Sequence, residues 1–411
     1  MGYLLGIVLA IVALILSVAL HELGHLLPAK KFGVYVPQYM VGFGPTLWSK
    51  KRGDTEYGVK AILLGGYVRL AGMFAPAREG VRTHKADGRP TLAQEAREAS
   101  AEELPAGREP QAFYNLSVPK KLVVMLGGPT VNLVMSIVLI AIVMMGIGVQ
   151  QPVTKLAQVP QCLGQCEQGA PKSPAYEAGL RAGDTVVTWN GHRVDTWPQL
   201  VEQITASGSR AVPVQVQREG KTKSYTVAPK SVDGQAKAGI VAGFERRRAS
   251  VVDVADASWH TFTATAAVVL RLPKAVWDTT VGLFQDQPRD PNSVLSVVGV
   301  GRLAGEVSAD TNPQVTVWDR AGVLLSLWGS LNMALFVFNL IPLPPLDGGH
   351  VAGALWEGAR RTYNRMRRKP DPGPADTARL MPLTYTMVLV FAVMTLVLIA
   401  ADIINPIHLL R

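Results

Sequence analysis

Four stretches of this chain are long and apolar enough to cross a bilayer, at about residues 2 to 28, 122 to 149, 321 to 345 and 380 to 403. Hydrocarbon offers no water to satisfy a backbone, so such stretches must be built as helices or closed barrels, and apolar runs of this length are helical. The expected fold class is therefore a multi-pass α-helical membrane protein with four transmembrane helices. The first stretch is expected to stay in place rather than be removed as a leader. Met1 to Leu20 contains no Lys or Arg to make a basic start, and the apolar run is longer than an ordinary leader core. The chain has 411 residues, 48% of them hydrophobic, which is too long for one soluble domain and too apolar for a mostly soluble protein.

Charge placement orients the spans. Lys30, Lys31, Lys120 and Lys121 flank the loop between spans one and two, and Arg360, Arg361, Arg365, Arg367, Arg368, Lys369 and Arg379 fill the loop between spans three and four. Basic loops stay in the cytoplasm, so both termini and the segment from about 150 to 320 are expected outside a plasma or inner membrane. The net charge of +10 is thereby explained by topology, and no nucleic-acid partner is expected. A fifth apolar stretch, Ala257 to Leu272, carries His260 and Arg271 and precedes Pro273, and it reads as an amphipathic helix on the membrane surface. A fifth crossing would also reverse span three.

Ionisable residues inside an apolar span are costly, yet span one ends in His21-Glu22-Leu23-Gly24-His25. Residues four apart share a helix face, so His21 and His25 can offer two imidazoles to one Zn2+ while Glu22 acts as general base toward an attacking water. Catalytic zinc usually takes three protein ligands. Span three ends in Asn339-Leu-Ile-Pro342-Leu-Pro344-Pro345-Leu346-Asp347-Gly348-Gly349-His350, whose prolines cannot continue a regular helix. Broken backbone at membrane depth is tolerated where it lines a cavity. Asp347 lies some twenty-odd residues from the outer start of its span, as His21 and His25 do from theirs, so the three should meet at similar depth. Asp347 is the expected third ligand, and His350 competes for that place. His84, His192, His260 and His408 are not placed by topology to join.

These motifs make the chain similar to the site-2 proteases, the intramembrane zinc metalloproteases, and within them to the bacterial regulator-of-sigma-E-protease branch. HExxH matches His21, Glu22 and His25, and NxxPxPxLDG matches Asn339, Pro342, Pro344, Leu346, Asp347 and Gly348. Gly128-Pro129-x-x-Asn132 in span two and Gly65-Gly66-Tyr67 in the first loop extend the likeness nearly from end to end. The segment Val41 to Trp48 and the single PDZ module look most similar to actinobacterial members.

The resemblance organises the rest. Residues 1–29 are the first transmembrane helix. Residues 30–118 are a cytoplasmic loop, with a membrane-associated β-sheet at about 34–73, where β-branched and aromatic residues alternate with Gly, and a foldless Ala/Glu/Arg/Gly/Pro tether at about 75–111. Residues 119–149 are the second helix. Residues 152–246 resemble an extracytoplasmic PDZ domain, with a helix-turn-strand signature from Ser173, a helix from Trp197 to Thr205, and a hairpin of Val212 to Arg218 and Thr222 to Ala228 around Glu219-Gly220. Residues 247–320 form a linker with the amphipathic helix, 321–350 the third span, 351–379 the basic loop, 380–404 the fourth span and 405–411 a tail. Cys162 and Cys166 lie in the external part, where their spacing permits a disulfide or two free thiols.

The expected activity is hydrolysis of peptide bonds in single-span membrane proteins already trimmed outside the membrane, such as anti-sigma factors, and in remnant signal peptides. Zn2+ held by His21, His25 and Asp347 is the expected cofactor and Glu22 the catalytic base. Asn132 and Asn339 are polar groups in apolar spans that either position substrate and oxyanion or bond helix to helix. Pro342, Pro344, Gly65 and Gly66 are expected to position substrate. The competing readings are a membrane-tethered PDZ scaffold with a structural metal and a transporter with ionisable residues at mid-membrane, which would call for repeated halves not found in the sequence.

Overall fold

A computed structural model describes residues 2–164, 166, 172–232, 234–285, 294–312 and 315–406. The last part of the tail, with His408, lies outside the described residues, as do residues 165 and 167–171 beside the two cysteines. Two compact units are present, Met1–Val143 with Ser250–Arg411, and Met144–Ala249.

The first unit begins with helix α1 (Gly2–Lys31), the antiparallel pair β1 (Gln38–Arg52) and β2 (Thr55–Arg69), α2 (Leu92–Glu102) and α3 (Val118–Ala141), which runs on as a π-helical turn to Ile147. The hairpin folds back on itself. Gln38 to Val41 pair with Glu56 to Val59 on one side and with Gly66 to Arg69 on the other, so the Gly66 end forms an edge. Tyr39 Oη donates to the carbonyl of Ala19, 2.7 Å away, which fixes the sheet to α1 two residues before the HExxH residues. The stretch expected to be a foldless tether carries α2 instead. Its low apolar content hid the helix because α2 is held by charge, with buried Arg97 reaching both oxygens of Asp376 at 2.7 and 2.8 Å. Thr91 caps it through the N–H of Gln94.

The second unit contains β3 (Val149–Gln158), α4 (Pro174–Glu177), β4 (Thr185–Trp189), β5 (His192–Arg193), α5 (Trp197–Ser207), β6 (Val212–Arg218), β7 (Lys221–Val227), β8 (Lys230–Val232), β9 (Gln235–Lys237) and β10 (Val241–Arg247). The main sheet is antiparallel in the order β10-β3-β4-β6-β7, and Trp189, Leu200, Val214 and Val216 lie in its core. Glu219 and Gly220 both have positive φ, 53° and 78°, as a two-residue hairpin turn requires. Asp184, fully buried, is gripped by Arg218 at 2.6 and 2.7 Å. Burial alone would raise its carboxyl, but Arg218 and the N–H of Arg181 outweigh burial and hold it below the usual carboxylate range. Cys162 and Cys166 are joined in a disulfide, Cα to Cα 5.4 Å.

The first unit resumes with α6 (Val251–Phe284), α7 (Val297–Ala309), α8 (Val317–Asn339), α9 (Asp347–Met366) and α10 (Met381–Ile404). Among the described residues four helices are long and apolar enough to cross a membrane, Gly2–Lys31, Val118–Ile147, Val317–Asn339 and Thr377–Ile404. These match the four stretches read from sequence. The expected amphipathic helix at 257–272 is the middle of α6, which is 34 residues long. Helix α7 was not foreseen; Gly6 of α1 lies so close to the backbone of Ala304 that a Cβ would overlap it. Only small residues allow that approach. Asp402 of α10 accepts from the N–H groups of Ser296 and Gly299, capping α7 from a neighbouring helix.

Candidate metal centre

The two imidazoles arrive on one face of α1, as i and i+4 residues must. Asp347 arrives from the first turn of α9, where the proline loop after α8 has turned the chain back. Gly348 and Gly349 let that loop close on the helix start, since a Cβ on Gly349 would stand 2.9 Å from the carbonyl carbon of Leu343. His21 Nε2 lies 3.2 Å from His25 Nε2, and each lies 3.3 Å from Asp347 Oδ2. Four ligands at zinc bond lengths of about 2.0–2.1 Å in a tetrahedron are about 3.3–3.4 Å apart, so the three atoms form one face of a tetrahedron of the right size. Asp347 Oδ2 is buried without a hydrogen-bond partner, an arrangement that a bound cation would satisfy. The donor set of two nitrogens and one oxygen fits Zn2+ and leaves a fourth position for water.

The second partners of the imidazoles support the same reading. His25 Nδ1 lies 2.8 Å from the carbonyl of Val124, so Nδ1–H donates there and the Nε2 lone pair faces the cluster. His21 Nδ1 lies 3.1 Å from the side-chain amide of Asn132. The amide offers one atom to His21 and the other to no partner, so its two orientations make equal numbers of bonds. Only with Oδ1 turned toward Nδ1–H is Nε2 left free to bind metal, and that is the orientation we assign. Asn132→Leu is expected to weaken zinc affinity about 10- to 100-fold, measured by competition with a chelator, because the imidazole loses its anchor.

Three features at the centre were not read from sequence as site residues. Gly24 and Gly127 cross so closely that a Cβ on Gly24 would stand 2.5 Å from the carbonyl oxygen of Gly127. A Cβ on Gly128 would fall on His25 Nε2 and 2.8 Å from His21 Nε2, so α3 touches the ligands with bare backbone. One turn before His21, Ser17 Oγ accepts from Trp328 Nε1 at 2.8 Å and Asn332 Nδ2 at 3.0 Å, fixing α8 to α1. The sequence signal for this clamp was a set of polar residues inside apolar spans. At the other end Lys121 and Glu357, both buried, pair at 2.8 Å and hold α9 against α3.

The remaining predicted residues are less concentrated. Glu22, half-buried, has His25, His21 and Asp347 as electrostatic neighbours, and Gly66 on the edge of β2 lies against it, an added Cβ standing 3.4 Å from Glu22 Cγ. Gly65 faces the ring of Phe43 instead. Pro342 and Pro344 line a cavity on the α9 side of the proline loop. Asn339 ends α8 and makes no side-chain hydrogen bond among the described residues. His350 is not one of the clustered donors, and among the described residues His21, His25 and Asp347 are the group able to hold a metal.

Comparison with known proteins agrees with this geometry. Residues 9–369 match the model of peptidase family M50. The zinc metalloprotease Rip1 of Mycobacterium tuberculosis strain H37Rv is 31% identical over 438 residues, covering 100% of both chains. Rip1 of Mycolicibacterium smegmatis is 30% identical over 442 residues and 99% of each chain, and the zinc metalloprotease RasP of Geobacillus kaustophilus is 28% identical over 388 residues, 80% of this chain and 84% of its own. With a family match across most of its length and full-length relatives at 30 and 31% identity, the chain belongs to peptidase family M50.

Proposed function

We propose that this zinc metalloprotease cuts single-span membrane proteins within or beside their apolar segment, with His21, His25 and Asp347 as metal ligands and Glu22 as base. The observation that carries this reading is the meeting of the three donor atoms, 3.2 to 3.3 Å apart, where two helices of membrane-spanning length, α1 and α3, meet the first turn of α9. Zn2+ bound there would supply a Lewis acid that polarises the scissile carbonyl and makes water more acidic. Glu22 takes a proton from the attacking water and returns it to the leaving amide nitrogen, so the C–N bond breaks as a carboxylate and an amine form. The edge of β2 from Gly66 to Arg69, paired to a strand on one side only and tied to Glu22 through the backbone of Val68, suits an unwound substrate segment added as a strand, which would free the peptide bond from helical hydrogen bonds. Asn339, Pro342 and Pro344 are assigned to substrate positioning.

The substrates are anti-sigma-factor-like proteins and remnant signal peptides, reached after prior trimming outside the membrane. The second unit is assigned as an extracytoplasmic PDZ domain that filters substrates by size, and both termini lie on that outer side. Membership of a peptidase family argues against the scaffold and transporter readings. The test is cleavage of a reconstituted single-span anti-sigma factor in proteoliposomes. Trimmed substrate is expected to be cut, zinc chelation to stop the reaction and added zinc to restore it. Equal cutting of intact and trimmed forms would remove the size filter, and cutting indifferent to chelation would contradict the mechanism.

A further inference from the structure

A cavity of about 520 Å3 lies between the proline loop, α9 and the start of α10. Its polar wall carries Arg78, Arg360 and Arg379, and its apolar wall carries Pro344, Trp356 and Leu383. The carboxylate in this wall, Asp376, is already held by Arg97 on both oxygens and by Arg379 Nε at 2.9 Å. Arg78 and Arg360 are different. Arg78 Nη2 donates to the carbonyl of Pro374 at 2.5 Å, and Arg360 Nη2 donates to the carbonyls of Pro372 at 2.9 Å and Gly373 at 3.2 Å. Neither forms an ion pair with a carboxylate among the described residues, and Arg360 Nε is buried with no partner. Two guanidinium groups are thus gathered on one three-residue loop, where burial and then the charge of Arg78 oppose the charge of Arg360 and are only partly offset by Glu357 and Asp371. An anion between them would relieve both costs.

We propose that this cavity binds the phosphate of an anionic phospholipid headgroup, with Arg78 and Arg360 as its principal donors. Planar guanidinium forks match phosphate oxygens in pairs. The cavity sits at the first residues of the apolar helix Thr377–Ile404, the depth at which a headgroup meets its acyl chains. Trp356, 63% exposed, stands there as interfacial tryptophans do, and Leu383 continues the apolar surface along α10. Because Pro344 belongs to the loop that delivers Asp347, a lipid here would brace the metal centre from outside.

The test uses the full chain in nanodiscs of equal phosphatidylglycerol and phosphatidylcholine, extracted gently and read by native mass spectrometry for retained lipid. Phosphatidylglycerol should be retained in preference, and R78Q and R360Q should each lower its retention about fivefold, with the two effects multiplying in the double variant. Glutamine keeps an N–H for the loop carbonyls, so these variants remove charge while sparing the fold. R367Q, on the same basic loop but outside the cavity, should retain lipid as the wild type does. Equal retention of the two lipids, or an equal fall in R367Q, would overturn the proposal. So would protection from heat by inorganic phosphate alone, in detergent without lipid, that matches the protection by phosphatidylglycerol. Displacement of the bound lipid by a soluble acidic peptide at equal concentration would reassign the cavity to a protein partner and also overturn it.

Discussion

Glu22→Gln is expected to bind zinc as tightly as the wild type and to cleave a single-span substrate about 10²- to 10⁴-fold more slowly. Glutamine has nearly the same shape, so α1 and the edge of β2 at Gly66 keep their contact, and none of His21, His25 or Asp347 loses a hydrogen-bond partner. It cannot accept a proton from water at neutral pH. The loss should therefore fall on kcat, while KM stays close to the wild-type value, because substrate is held by other groups. Zinc content by elemental analysis and single-turnover cleavage in the same sample separate the two effects. A loss of zinc in this variant would show that Glu22 serves the metal site rather than the proton transfer.

Gly128→Ala is expected to abolish zinc retention without unfolding the protein. The added methyl would fall on His25 Nε2 and lie 2.8 Å from both Cε1 and Nε2 of His21. Neither ring is free to give way, since His25 Nδ1 is tied to the carbonyl of Val124 and His21 Nδ1 to Asn132. The helices cannot separate cheaply either, because Gly24 and Gly127 meet backbone to backbone one residue away. Overpacking of this kind costs about 1–3 kcal/mol, tolerable for the fold, whereas displacing a ligand atom by a fraction of its bond length empties a metal site. Gly146→Ala is the matched control, since a Cβ there meets nothing within 4 Å. Equal zinc content in the two variants would contradict the placement of α3 against the ligands.

The three donors that meet at the candidate centre were legible in sequence because they follow local rules. Spacing of four sets two imidazoles on one helix face, and counting residues from the start of each span set Asp347 at their depth; the distances of 3.3 Å agree. The four long helices followed from length and hydropathy alone. What escaped depends on which helices touch. Gly127 reads as an ordinary small residue, and Gly128 as a motif glycine with no assigned contact, until the crossing with Gly24 is known, and Ser17, Trp328 and Asn332 form a clamp only once α8 lies on α1. Helix α2 escaped for another reason. Its composition is that of a solvated segment, and the Arg97–Asp376 pair that fixes it joins residues 279 positions apart. The hairpin was expected as short strands, but its double register around Gln38 to Val41, which leaves the Gly66 edge open beside Glu22, is a property of tertiary packing.

The central claim is that this centre hydrolyses a peptide bond of a membrane-spanning segment, and product mapping in 18O-labelled water tests it most directly. A trimmed single-span substrate is incubated in proteoliposomes with wild type and with Glu22→Gln, and the fragments are sequenced by mass spectrometry. The account predicts one cut within or beside the apolar segment, a labelled oxygen in the new carboxylate, and neither product nor label above background from the variant. Cleavage confined to the soluble part of the substrate, or equal labelled product from both proteins, would contradict it.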